Sequence, residues 1–258
     1  PLGGAGSAWN ATLGVLLGHR SVRAFLPEPL PAGTVETLVA AAQSAPTSSN
    51  LQAWSVVAVE DPARKARLAT LAGGQKHVAQ APLVLVWVAD LARARDIGAA
   101  RGLALEGIDF TESFLIASID AALAAQNAVV AAESLGFGTV YVGALRNHPA
   151  EVAAEICLPP LSYAVFGLAV GRPDPAVAAA VKPRLPQAAV LHRERYSREA
   201  RREAIERHDK HVLAFREEQK LPAQTWSDLV VDRLRTVASL KGRHVLRDVL
   251  NGLGFALK

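Results

Sequence analysis

The sequence predicts an α+β fold, a sheet flanked by helices and followed by a helical C-terminal extension. Three observations predict it. Short valine- and leucine-rich runs alternate with segments whose apolar residues recur at helical spacing. A long alanine-rich segment, Thr111 to Gly136, stands among them. From Arg193 to Lys220, arginines and lysines alternate with glutamates, the pattern of a solvent-exposed helix. With 258 residues, 50% of them hydrophobic, the chain can bury a sizeable core. No long Gly/Ser- or Pro-rich linker separates two cores, so 1–258 reads as a single domain, with about 193–258 as its helical extension.

Each element has its own signal. Residues from about Ala8 to Leu17 read as a first helix. Thr34 caps a second, in which Val35, Leu38, Val39 and Ala42 recur at helical spacing. APTSSNLQAW, Ala45 to Trp54, is rich in turn and N-cap residues, and a strand follows at Ser55 to Glu60. Asp61-Pro62 opens a helix with N-cap and N1 signals, and Gly73-Gly74 closes it. Leu83 to Ala89 is continuously apolar, as a strand covered on both faces should be. Thr111 to Gly136 is a helix whose small side chains allow close approach, which makes it the central or dimer-facing helix. Thr139 to Leu145 and Tyr163 to Gly171 read as strands. After the loop KPRLP and a short apolar piece at Ala188 to Leu191, the remainder is helical.

Composition narrows the function. A net charge of +4 and a pI near 9.5 suit anionic small molecules. The basic residues are balanced by glutamates, unlike a nucleic-acid-binding arm, so no nucleic-acid partner is expected. Cys157 is the only cysteine, which excludes an intramolecular disulfide and a multi-cysteine metal site; in EICLPP it reads as a small buried hydrophobe. PLGGAGSAW lacks the features of a signal peptide, and Phe114 to Ala132 is interrupted by Asp120, Gln126 and Asn127. No membrane contact and a cytoplasmic location are therefore expected. No HExxH, catalytic triad or paired carboxylate stands out, so neither a metal site nor a catalytic side chain is expected.

What does stand out is anion chemistry. GHRSVRAF, Gly18 to Phe25, places His19, Arg20, Ser21 and Arg23 directly behind an apolar run, and KPRLP adds Lys182 and Arg184 between prolines. Guanidinium forks, ammonium groups and a hydroxyl are the usual partners of phosphate oxygens. Taken singly, each cluster could equally be a solvated loop.

These two segments, with APTSSNLQAW, GGQKHVAQAP (Gly73 to Pro82) and AAQNAVVAAESLGFGTVYVGALRN (Ala124 to Asn147), stand in an order and spacing that resembles the oxygen-insensitive, NADPH-dependent nitroreductases, also described as flavin reductases, which carry FMN. The resemblance runs from about Gly18 to the C-terminus and includes TWSD, Thr225 to Asp228. It implies a nitroreductase-like fold with a central, mostly antiparallel sheet, and a homodimer whose active sites use both chains. It implies FMN as cofactor, NADPH as electron donor, and small acceptors such as nitroaromatics or quinones reduced in ping-pong fashion through flavin N5. Two other readings stay open: a flavin reductase that releases reduced FMN, and a flavin-binding protein without turnover.

Residue by residue, the resemblance assigns Arg23 to the flavin pole near N1 and the C2 carbonyl, where reduction places negative charge. It assigns His19 and Ser21, with Lys182 and Arg184, to the ribityl phosphate. Arg20 is either a flavin contact or a surface ion pair, and His19 could also be a helix C-cap. Thr47, Ser48 and Ser49 would reach the isoalloxazine edge across the subunit interface, and Gln75 the ribityl chain or pyrimidine. Tyr141, Val142, Gly143 and Ala144 would bring backbone N–H groups to N5 or the C4 carbonyl. Where Ala144 stands, the family commonly has a second glycine, so its methyl would narrow the site. No GxGxxG opens a helix, so the nicotinamide nucleotide would share the open flavin face with the second substrate. Arg243 is the first candidate to line that face, followed by Arg146 and Arg216.

Overall fold

The computed structural model of the chain describes residues 9–199 and 201–258. The expected helix start at Ala8 and nearly all of PLGGAGSAW lie outside those residues. The chain forms two compact units, one running to Ala180 and taking up Val245–Lys258, the other Val181–His244.

In the first unit four strands, β1 (Trp54–Val59), β2 (Leu83–Asp90), β3 (Gly138–Val142) and β4 (Ser162–Gly171), lie in the order β1-β2-β4-β3 with every neighbouring pair antiparallel. The α+β class and the antiparallel sheet are as expected. β2 is covered on both faces because its side chains alternate. Leu83, Leu85 and Trp87 pack with α2 (Thr34–Gln43) and α6 (Thr111–Ser134), whereas Val84 and Val86 pack with α3 (Pro62–Leu71), α4 (Lys76–Gln80) and α7 (Pro149–Glu155). α1 (Ala11–Leu17) opens the described chain, capped by the Asn10 side chain, which accepts from the Leu13 N–H. α5 (Ala92–Ala100) follows β2, and α10 (Leu246–Gly252) leads back into this unit. There the Phe255 ring meets Phe114 edge-on at 5.2 Å, and the Lys258 N–H donates to the Asp109 carbonyl.

α6 alone among the described helices is long and apolar enough to cross a membrane by composition. One of its faces is buried against the sheet, and its polar Asp120 and Asn127 bond to neighbouring segments.

The second unit is helical, as expected, and built on α8 (Arg201–Glu218) and α9 (Trp226–Leu234). The expected extension at 193–258 thus divides, since α10 and the C-terminus belong to the first unit. Within TWSD, Thr225 and Asp228 close a capping box at the start of α9. Thr225 holds the Asp228 carboxyl below the usual range. Ser227 donates both its N–H (2.9 Å) and its hydroxyl (2.7 Å) to the Asp209 carboxylate of α8.

Four local expectations change. Thr34 does not cap α2. Gly33, in a left-handed conformation at φ 81°, occupies the N-cap, and the Thr34 hydroxyl donates back to the Pro31 carbonyl. The strand expected at Thr139 to Leu145 ends at Val142, where the chain curls into a 3₁₀ turn, Gly143–Asn147. α4 and α5 were not anticipated, being short helices without an apolar stripe. Cys157 is exposed, not buried, because the chain leaves α7 through a left-handed residue at that position (φ 55°) that turns its side chain outward.

Candidate functional site

In the first unit the basic segment GHRSVRAF runs along the sheet edge, joined to it by isolated bridges. α1 ends at Gly18, and the chain then runs beside β3, the outer strand of the sheet. Ser21 bridges Thr139 in parallel, the Val22 N–H donates to the Thr139 carbonyl at 2.9 Å, and Phe25 bridges Pro173. Along an extended segment alternate side chains face opposite ways. Arg20 and Val22 line a small cavity of about 170 Å³ with Gly14, Gly138 and Pro173. Ser21 and Arg23 do not line it, which separates Arg20 from Arg23.

His19 follows the helix end without capping it, since Gly18 is the C-cap. Its Nδ1 lies 2.7 Å from Glu133 Oε1 of α6, and the same oxygen accepts from the Thr139 hydroxyl at 2.7 Å. Nε2 is therefore the ring nitrogen left for a ligand.

Arg23 faces α4. The His77 imidazole is held below its usual pKa, first by burial and then by the Arg23 guanidinium, and its Nε2 is buried without a hydrogen-bond partner among the described residues. Gly73 and Gly74, at φ 78° and 75°, make the turn into α4. Gln75 is the N-cap residue of α4, and its side-chain amide donates to the Ala72 carbonyl at 3.1 Å. A Cβ on Gly73 would stand 3.6 Å from the Asn147 side chain, so this loop lies beside the 3₁₀ turn Gly143–Asn147. Arg23, Gln75 and the end of β3 are thereby brought to one region.

At that strand end Tyr141 and Val142 point opposite ways. The Tyr141 ring stands edge-on to Phe166 at 5.0 Å, its hydroxyl donates to Gln126 at 3.2 Å, and burial followed by the Glu133 charge pushes its phenol pKa well up. Val142 and Ala144 belong to the core, so only their backbone can serve a ligand. The Ala144 methyl does not narrow the site for the same reason.

Arg146 has a local task. β4 carries a bulge opposite Trp87 and Val88 that leaves Val165 outside the ladder, and the Arg146 guanidinium donates to the Val165 carbonyl. It lies close under Gly143, where a Cβ would come within 3.3 Å of it.

The loop from Thr47 to Ala53 has a distinctive backbone. Ser49, Asn50 and Gln52 all have positive φ (49°, 55° and 51°). Ser48 and Ser49 are exposed, while the Thr47 hydroxyl is buried without a hydrogen-bond partner among the described residues. Asp120 of α6, which holds this loop, and Asn127, which holds the end of α2 before it, figured in the sequence only as interruptions of an apolar run. A carboxylate in the middle of that run was the available signal.

In the second unit Lys182, Arg184 and Arg216 line one cavity of about 580 Å³ together with Phe215, Trp226 and the buried His208. Arg216 Nε also donates to the Pro222 carbonyl at 2.6 Å, closing the end of α8. Arg243 lies in a separate 3₁₀ turn, half-buried, and does not line the cavity. No group of three or more His, Cys, Asp or Glu side chains able to hold a metal occurs among the described residues.

Comparison with known proteins agrees with this organisation. The model of the nitroreductase family matches residues 16–172, and that of the nitroreductase family C-terminal domain matches residues 182–258. The chain is 38% identical over 251 residues to an FMN reductase (NADPH) of Bacillus subtilis, covering 95% of this chain and 98% of that one. It is 36% identical over 253 residues to an oxygen-insensitive NADPH nitroreductase of Salmonella typhimurium, with 96% and 100% covered. Among solved structures, the NADPH:FMN oxidoreductase of Vibrio harveyi in complex with NAD+ superposes with a TM-score of 0.85 at 35% identity, covering 96% and 100%.

Proposed function

The chain belongs to the nitroreductase family, and we propose that it is an FMN-dependent oxidoreductase that draws electrons from NADPH and reduces nitroaromatics, quinones or similar small acceptors. The observation that carries this reading is similarity over nearly the whole chain to proteins named FMN reductase (NADPH) and oxygen-insensitive NADPH nitroreductase. When bound, FMN would supply the chemistry, taking up a hydride and passing electrons to the acceptor.

The residues present fit that cofactor. His77 Nε2, beside Arg23, is a buried polar atom with no hydrogen-bond partner among the described residues, and the Gly73-Gly74 turn leaves open space, with nothing within 4 Å of a Cβ built on Gly74. Arg23 would hold the pyrimidine pole as a fixed cation, and Gln75 would orient the ribityl chain. His19 and Ser21 would take the phosphate, His19 through Nε2 because Glu133 fixes Nδ1. Lys182 and Arg184 would add two cations for the phosphate, so Lys182→Ala with Arg184→Ala is expected to weaken FMN retention. Both are exposed, so thermal stability should change little. Backbone of Tyr141, Val142, Gly143 and Ala144 would face the reacting edge. Arg243 is the first choice for the NADPH 2′-phosphate, with Arg216 next, while Arg146 is held on the β4 bulge.

The working unit would be a homodimer. On α6, Leu115, Ile119 and Leu123 are 48%, 55% and 39% exposed and share one helix face, opposite the residues buried on the sheet. A partner covering that stripe would let Thr47, Ser48 and Ser49 complete the second chain's site. The single cysteine fits a reducing, cytoplasmic setting.

A second reading, release of reduced FMN for use elsewhere, is favoured by the relative named NADPH-flavin oxidoreductase in Vibrio harveyi. Both are tested together. The purified protein should be yellow, and anaerobic NADPH should bleach its flavin spectrum. Turnover of free FMN in molar excess marks the reductase, and turnover of a nitroaromatic with flavin retained marks the nitroreductase. A colourless protein that takes up no FMN on titration overturns both.

A further inference from the structure

Asp120 is a carboxylate only 1% exposed, in the middle of a helix otherwise built from alanine and valine on its buried side. A charge in such a place persists only where its oxygens are satisfied. Oδ1 accepts from the Ser48 N–H and Oδ2 from the Ala53 N–H, both at 3.1 Å. One side chain thus ties together the two ends of the loop that carries Ser48 and Ser49.

The loop needs such a tie. Ser49, Asn50 and Gln52 all sit in the left-handed region, which non-glycine residues avoid unless their surroundings enforce it. Two further anchors set the approach and the exit. Asn127 lies two turns along α6 and therefore on the same face; its amide donates to the Ala41 carbonyl and the Ser44 hydroxyl at 3.3 Å, where α2 feeds the loop. Arg93 donates to the carbonyls of Gln52 and Trp54 at 3.2 Å, where the loop enters β1. Between these fixed ends, Asp120 is the one group outside the loop, among the described residues, that accepts from the loop's N–H groups.

We infer that Asp120 is a positioning residue for FMN binding: it holds the strained loop from which Ser48 and Ser49 meet the flavin. This rests on the proposed flavin function. Both Asp120 oxygens are bonded to loop N–H groups, so it acts through the loop.

The test is Asp120→Asn in the full chain. The amide keeps the shape of the carboxylate but turns one acceptor into a donor facing an N–H. Hydrogen exchange at Ser48 and Ala53 should become at least about tenfold faster while β2 amides keep their protection. In titrations of flavin-free protein, the FMN dissociation constant should rise about tenfold, equivalent to ~1.4 kcal/mol. The ratio of FMN to riboflavin affinity should not move, because the phosphate partners lie elsewhere. A second pair of variants guards against misfolding. Ser48→Pro removes the donor from the loop side, and Thr47 at φ −132°, ψ 151° already has the extended backbone that a following proline requires. Ser48→Ala removes the same hydroxyl and keeps the N–H, so only the proline variant should lose FMN affinity beyond it.

Parental FMN affinity in Asp120→Asn despite faster loop exchange overturns the inference. So does equally accelerated exchange in β2, which would make Asp120 a general stabiliser. If the parent itself takes up no FMN, the proposed function falls and takes the inference with it, an outcome recognisable because the loop amides still respond to the substitution.

Discussion

A methyl group on Gly138 would stand 2.7 Å from the Val22 side chain, closer than any real Cβ contact. The basic segment lies against β3 only because glycine is there. Gly138→Ala is expected to cost about 1–3 kcal/mol by overpacking. It should also push Ser21 and Arg23 outward, so flavin affinity falls together with the melting temperature; a variant that melts lower yet binds FMN like the parent would separate the segment's packing from its ligand role. His208 yields a pH prediction. Burial, only partly offset by the Asp209 charge and reinforced by His211, holds its imidazole below the ordinary 6.5. The unfolded chain takes up a proton near 6.5 that the folded chain refuses, so stability present above that pH is lost as the pH falls through and below it. The melting temperature should decline between about pH 7 and pH 5, and His208→Phe should flatten the decline. At this scale the sequence was partly legible. The donor chemistry of His19, Ser21 and Arg23 could be read directly. That Arg20 faces away from Arg23 required the alternation of an extended segment, and that Arg146 serves a bulge required the β4 register, neither of which residue type reveals.

Among elements, β2, α3 and α6 were legible because a continuous apolar run, an Asp-Pro start with a Gly-Gly stop, and an alanine-rich stretch are local signals. The end of β3 was not, since Ala144 and Leu145 continue its apolar run past Val142, and a long-range bond from Arg146 to Val165 accompanies the turn. α9 shows a case between the two. TWSD contains its own capping box, but the Ser227–Asp209 pair that fixes α9 to α8 joins residues 18 positions apart. Ser227→Ala removes one charge-assisted bond and keeps the other, so a loss of about 1.5–3 kcal/mol is expected in thermal or denaturant unfolding. Thr225→Ala attacks the cap instead and should cost about 1 kcal/mol. If Ser227→Ala proves the milder of the two, the helix end and not the interhelical bond governs the unit's stability.

For the whole molecule, the question is what covers the outer face of α6. Its inner face is fixed by alanines against the sheet, yet Leu115, Ile119 and Leu123 remain exposed on the outside, next to the exposed Gln126. A soluble chain leaves scattered leucines in water at little cost, but a helical stripe of them is the mark of a partner surface. A lipid partner would place Asp120 and Asn127 in the same helix as the buried stripe; both are instead fully engaged by α2 and the Thr47–Ala53 loop, which a membrane-inserted helix could not retain. The proposed homodimer would place a second copy of the chain on that face and complete the proposed site, since the loop held by α6 carries Thr47, Ser48 and Ser49. Obligate interfaces commonly bury more than about 2,000 Å² and exclude charge from their centre. Ile119→Lys with Leu123→Lys should therefore give a monomer in sedimentation, with the sheet's far-ultraviolet signature intact because neither side chain enters the core. The same monomer should bind FMN weakly and turn over NADPH slowly, the two losses appearing together. A double variant that sediments as a monomer with parental FMN content and rate would show that each chain builds its site alone, and a parent that stays monomeric at micromolar concentration would leave the α6 stripe to some other partner.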